Sequence, residues 1–148
     1  MSKNKVQFQK GISLQTFLSQ FGSEDQCRTA LSHWRWPQGF VCPKCGHLGY
    51  CELKRRKLFQ CNNCRAQVSL TSKTIFSHTK IPLTTWFFGI YFITQSKVSV
   101  SALSLKRTIG VSYNTALLMK HKIQQVMKER DDSGKCQGSC RILRQRFV

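Results

Sequence analysis

The chain has 148 residues, carries 24 Lys plus Arg against 6 Asp plus Glu, and has a formal net charge of +18. It suits one ordinary domain or two small modules, and such self-repulsion points to a polyanionic partner. Nucleic acid is the first candidate, because neutralised phosphates release counterions and supply affinity without regard to sequence; an anionic membrane surface is the second. With 41% hydrophobic residues, 10 Phe and 3 Trp, it is no disordered basic tail. The longest strongly apolar run, 86–93, is eight residues and far short of the roughly 20 that span a bilayer. Residues 1–9 lack the apolar block of a secretory signal. A cytoplasmic, reducing location is expected, in which the eight Cys bind metal rather than form disulfides.

In chain order, residues 13–35 read as helical, with Leu14, Phe17, Leu18 and Phe21 at helical spacing and Ser13 as a cap. Gly22-Ser23 breaks the run, and Ser23 with Glu24-Asp25 starts a second helix. Leu31, Trp34, Trp36 and Phe40 are expected to form one small apolar cluster, and Trp36-Pro37-Gln38-Gly39 supplies turn chemistry. Short β-like stretches follow at 49–53, 58–60 and 67–71, with Lys54-Arg55-Arg56-Lys57 as a hairpin tip. Residues 82–97 turn helical again, with Trp86, Ile90 and Ile93 on one face, and two more helices follow at 102–109 and 113–130.

The strongest signal is Cys42-Pro43-Lys44-Cys45 followed by Cys61-Asn62-Asn63-Cys64. A two-residue gap turns both thiolates of a knuckle toward one ion, and two knuckles complete a four-cysteine shell. The expected cofactor is structural Zn2+, because four thiolates leave no position open to activate water and in so short a segment metal binding is folding energy. Rubredoxin-like iron uses similar knuckles and is the rival; His47 as a substitute ligand is a further variant. Cys27 and Cys51 read as buried small hydrophobes. Cys136 and Cys140 have no second pair to complete a shell, and His33, His78 and His121 read as packing or surface residues.

Residues 102–116 have a helix-turn-helix rhythm. Leu105 and Ile109 face inward, Gly110 turns the chain, Val111 plugs the corner and Ser112 caps a second helix whose core face is Ala116, Met119, Ile123 and Val126. The outer face presents Thr115, Leu118 and Lys122. In such motifs the second helix enters the major groove, so Tyr113, Asn114 and Thr115 are the base-reading candidates. Lys106, Arg107, Lys120 and Lys122 are the phosphate contacts, which position without specifying. The bland alternative is a helical hairpin with a solvated basic face. Residues 71–112 carry Lys73, Lys80, Lys97, Lys106 and Arg107 with no acidic residue, and Arg55 and Arg56 at the hairpin tip add a further basic run.

Together these features specify an α+β fold. It comprises an N-terminal helical segment at 12–40, a zinc ribbon of small antiparallel β structure at 41–72, and a helical DNA-binding region at 82–130 that holds a helix-turn-helix at 102–128. An atypical tail occupies 133–148.

The order of Arg35-Trp36-Pro37-Gln38-Gly39-Phe40-Val41-Cys42-Pro43-Lys44-Cys45-Gly46, the four-cysteine ribbon, Thr71-Ser72-Lys73-Thr74-Ile75-Phe76, Lys80-Ile81-Pro82-Leu83, Ser101-Ala102-Leu103 and Gly110-Val111-Ser112-Tyr113 resembles the N-terminal region of bacterial zinc-ribbon insertion-sequence transposases. The resemblance covers roughly residues 12–132. It implies that ribbon and helix-turn-helix bind the element's terminal inverted repeats in double-stranded DNA, and that an RNase H-like domain with acidic residues and divalent metal normally follows. Here no Asp or Glu follows Asp132. The other acidic residues, Glu24, Asp25, Glu52, Glu129 and Asp131, do not form the converging set a two-metal centre needs.

The expectation is therefore a truncated transposase that binds DNA without catalysis of its own, its tail translated out of frame. Full-length transposase or a second copy is its protein partner, and no membrane is involved. The alternative is a stand-alone zinc-ribbon and helix-turn-helix regulator.

Overall fold

A computed structural model of the chain describes residues 12–96 and 99–132, with side chains to residue 129. Lys97, the tail at 133–148 with its expected out-of-frame origin, and Cys136 and Cys140 lie outside the described residues. The described elements are α1 (Leu14–Phe21), α2 (Glu24–Arg35), β1 (Tyr50–Leu53), β2 (Leu58–Cys61), β3 (Gln67–Ser69), α3 (Leu83–Gln95), α4 (Ala102–Ile109) and α5 (Tyr113–Asp132). This is an α+β arrangement of helices around a small antiparallel sheet.

Serine begins four of the helices for one physical reason: its hydroxyl accepts a backbone N–H that the first turn leaves unpaired. The Ser13 hydroxyl takes Thr16 N–H in α1, and that of Ser101 takes Ser104 N–H in α4. Ser112 does the same for Thr115 in α5. At α2 the arrangement is reciprocal, with Ser23 accepting from Gln26 N–H while the Gln26 side chain accepts from Ser23 N–H.

α3 follows Pro82, which offers no such cap. Its cap comes from α2: the Glu24 carboxylate accepts Leu83 N–H at 3.1 Å and Thr84 N–H at 3.2 Å. A full negative charge at a helix N-terminus also meets the positive end of the macrodipole. Glu24→Ala is expected to destabilise the protein by about 1–2 kcal/mol, read as a lower urea midpoint with zinc content unchanged. Glu24→Gln, whose amide oxygen still accepts, is expected to lose less.

α3 is the central helix and packs on α2, α4 and α5. Its Leu83, Trp86, Phe87 and Ile90 are buried. Gly89 lets the neighbours close in, since a Cβ there would sit 2.9 Å from the end of Met119 and 3.2 Å from that of Ile109. On the α1 side Phe17 stacks on Tyr91 at 4.6 Å, and the Tyr91 hydroxyl donates to Ile12 C=O. Of the four apolar residues at helical spacing in α1, Phe17 and Phe21 turn inward, while Leu14 and Leu18 remain about half exposed.

The sheet has order β1-β2-β3, with Tyr50 opposite Cys61, Glu52 opposite Phe59 and Phe59 opposite Val68. Opposed residues share a face, so Tyr50, Glu52, Phe59, Cys61 and Val68 lie on one side and Cys51 on the other. The expected cluster of Leu31, Trp34, Trp36 and Phe40 divides accordingly. Trp34 stacks on Phe87 among the helices, while Trp36 meets Phe59 edge-on at 5.1 Å and Phe40 at 4.9 Å above the sheet. Arg35 fastens the two halves, its guanidinium donating to Ser69 C=O and Leu70 C=O. Burial lowers its pKa, yet guanidinium basicity keeps it charged.

Candidate metal centre and basic surface

The ribbon is built from two copies of one turn. In the first, Gly46 N–H donates to Cys42 C=O and Cys42 N–H to His47 C=O; in the second, Arg65 N–H donates to Cys61 C=O and Cys61 N–H to Ala66 C=O. Each turn closes through a left-handed residue, Gly46 at φ 72° and Arg65 at φ 54°. Glycine adopts that conformation freely. Arginine is strained there, and the knuckle geometry imposes it.

These turns bring Cys42, Cys45, Cys61 and Cys64 together with every Sγ within 4.8 Å of the others. Cys42 and Cys64, and likewise Cys45 and Cys61, approach to 3.5 Å. Tetrahedral zinc with Zn–S bonds of about 2.3 Å needs S···S separations of about 3.8 Å, so the donor set fits. The backbone favours thiolate: N–H groups of Cys45, then Lys44, draw the Cys42 pKa down to about 6, and His47 N–H chiefly lowers that of Cys45. Cys64 receives the N–H of Ala66, but burial and the three neighbouring sulfurs outweigh it and push the pKa up to about 12. Four thiolates this close repel one another until a dication neutralises them. His47 is exposed and outside the cluster.

The other described cysteines differ. Cys27 is fully buried, its thiol donating to Phe21 C=O, and burial, then Glu24, raises its pKa to about 12. Such a thiol is inert. Cys51, expected inside, is exposed. β1 is an edge strand of a sheet covered on one face, and strand alternation turns Cys51 to the open face.

At the far end, α4 closes on Gly110, left-handed at φ 76° with its N–H on Lys106 C=O. Ala102 and Leu105 of α4 and Ala116, Met119 and Ile123 of α5 are buried, with Ile109, Val111 and Val126 half-buried. Tyr113 and Asn114 are exposed at the start of α5, and Lys106 and Arg107 at the end of α4. Arg55 and Arg56 stand exposed on the β1–β2 tip, and neither side chain makes a hydrogen bond or ion pair among the described residues.

Two expected contacts also have partners within the protein. Thr115 is half-buried and its hydroxyl accepts from that of Ser112, so the pair serves the helix cap. Lys122 is half-buried; its ammonium donates to Ile75 C=O at 3.3 Å and lies 5.9 Å from the Trp86 ring centre. It holds α5 to the 71–82 segment instead of standing free. Lys120 is half-buried as well. His121, with no binding role expected from sequence, is exposed one turn after Leu118; extending the outward stripe of α5 by helical periodicity would have added it to the candidates.

Fold and site define a zinc-ribbon protein with appended helices. Residues 22–67 match the transposase zinc-ribbon domain family of IS1595 type. The chain is also 27% identical over 114 residues to an uncharacterized protein in transposable element ISH50 of Halobacterium salinarum, covering 75% of this chain and 37% of that protein. The chain thus spans little more than a third of that relative's length. No solved structure matches it. Residues 22–67 thus resemble a transposase zinc ribbon, and the chain is similar over most of its length to part of a protein from a transposable element. The four cysteines are the structural zinc ligands. No helix among the described residues is long and apolar enough to cross a membrane.

Proposed function

We propose that the chain is a sequence-specific binder of double-stranded DNA that recognises the terminal inverted repeats of an insertion sequence. The observation that carries this reading is the α4–Gly110–α5 unit. Its second helix starts with exposed Tyr113 and Asn114, beside the exposed cations Lys106 and Arg107. That is the shape and charge a recognition helix needs in the major groove. Arg55 and Arg56 on the ribbon tip add phosphate contacts, and zinc gives that tip a rigid base. Because inverted repeats occur in pairs, a second copy or a full-length transposase is the expected protein partner.

Strand cleavage is assigned to none of these residues. Glu24 is committed to the α3 cap, Glu52 stands on the exposed edge strand, and Glu129 accepts from Gln125 near the end of α5. A two-metal centre needs carboxylates that converge on one spot.

The test is fluorescence anisotropy with duplexes from either flank of the coding region against scrambled duplexes, across about 50–200 mM salt. The terminal duplexes are expected to bind more tightly. Asn114→Ala is expected to lower that specific binding about tenfold and leave scrambled DNA unaffected. Changing both Arg55 and Arg56 to Ala is expected to weaken all duplexes and reduce the salt slope by about 2. Equal affinity for terminal and scrambled DNA would overturn the proposal.

A further inference from the structure

The structure assigns a sequence preference to α5: we propose that Leu118 reads the C5-methyl group of a thymine, next to an adenine read by Asn114. The inference rests on α5 being the recognition helix. Along α5, Ala116, Met119 and Ile123 are fully buried. The opposite stripe, by helical periodicity, is Asn114, Leu118, His121 and Gln125, all exposed.

Leu118 is 62% exposed in the middle of that polar stripe. One exposed leucine on a protein surface is ordinary; the surroundings of this one give it a partner. Asn114 lies one turn before it on the same stripe, and Tyr113 beside that is 47% exposed. Lys106 and Arg107 supply positive charge at the end of α4, and residues 71–128 contain no Asp or Glu. Lys122, one turn further on, is held at Ile75 and Trp86. The outward stripe is therefore two amides, an isobutyl group and an imidazole in a basic setting, which matches a polyanion whose grooves carry specific edges.

In the major groove the apolar group among the base edges is the thymine methyl, and the asparagine amide pairs with adenine N6 and N7. A helical turn advances about 5.4 Å and stacked base pairs about 3.4 Å. Asn114 and Leu118 consequently fall one to two base pairs apart, and the preferred site contains an adenine and a thymine at that separation.

The experiment selects duplexes from a randomised library with the full chain, then replaces each thymine of the enriched duplex in turn by deoxyuridine, which lacks the methyl group. Loss of one buried methyl is expected to weaken binding about fourfold at a single position. Leu118→Ala should bind the thymine duplex about that much more weakly and be indifferent to the uracil at that position. Alanine favours the helix, so folding is retained. Leu118→Met should keep the sensitivity, as should Leu103→Ala, which removes another exposed leucine, 46% exposed, from α4.

Enrichment of a site at which no thymine responds to uracil overturns the inference and leaves the recognition-helix reading standing. So does a Leu118→Ala variant as sensitive as the parent, including one whose sedimentation shows that Leu118 contacts a second copy instead. Failure to enrich any sequence removes the recognition-helix reading and this inference together.

Discussion

Replacing Cys61 by serine is expected to strip the zinc and unfold the ribbon between residues 41 and 70. Cys61 is fully buried, its Sγ is 3.5 Å from that of Cys45, and it ends β2 opposite Tyr50. Structural zinc in small domains is worth about 10–16 kcal/mol of folding free energy. That is comparable with the whole stability of a typical domain, about 5–15 kcal/mol. A hydroxyl is a poor substitute for a thiolate at this soft donor set, so the ion should be lost to a chelator that the parent protein resists. Unfolding should also reach the helices, because Trp36 rests on Phe59 and Arg35 is bonded to the carbonyls of Ser69 and Leu70. Metal analysis after gel filtration, with far-UV circular dichroism alongside, measures both effects. A variant that keeps its full zinc content would refute the ligand assignment.

Phe87→Ala should have the largest effect among the helices. Phe87 is fully buried on α3, 5.6 Å from the stacked ring of Trp34, 5.3 Å from Phe21 and 6.0 Å from Phe76. It thus joins α1, α2 and the 71–82 segment to the central helix. Removing a buried phenylalanine leaves a cavity and costs about 3–5 kcal/mol, which lowers the melting temperature by roughly 10 °C in a domain of this size. Phe88→Ala, one residue on and half-buried, should cost less. Zinc content separates the two predictions, since Phe87→Ala should keep its ion at temperatures where it remains folded. A loss below about 1 kcal/mol would mean that the helices pack differently.

Features set by near neighbours in the chain are legible in the sequence. The Cys-x-x-Cys pairs announce knuckles because two residues are what such a turn accommodates. The serines before α1, α2, α4 and α5 announce helix starts because their hydroxyls replace missing backbone acceptors. Gly110 marks the end of α4 because a left-handed residue is needed there. The transposase resemblance combines these local signals in one order, and the match over residues 22–67 bears out its ribbon part.

The commitments of side chains across long separations are not legible in that way. Glu24 looks like a first-turn acid of its own helix, and it is one, but its carboxylate also caps α3 some 60 residues away. Lys122 has the helical position of a phosphate contact, and nothing near it in the chain shows that its ammonium also donates to Ile75 C=O. Cys51 has the composition of a core residue and faces outward because its strand is an edge. Arg65 gives no sign in its identity of the left-handed backbone that the second knuckle requires.

By itself, then, the sequence determined the zinc ligands, the starts of the serine-capped helices, the basic character and the resemblance to a transposase zinc ribbon, because each depends on residue chemistry legible along the chain. Tertiary structure decided which cations remain free for a polyanion and which are bound to carbonyls, which aromatics serve the ribbon and which the helices, and which stripe of α5 faces outward. Those outcomes depend on what lies opposite in space, and a polar group takes whichever partner spares it the larger desolvation cost.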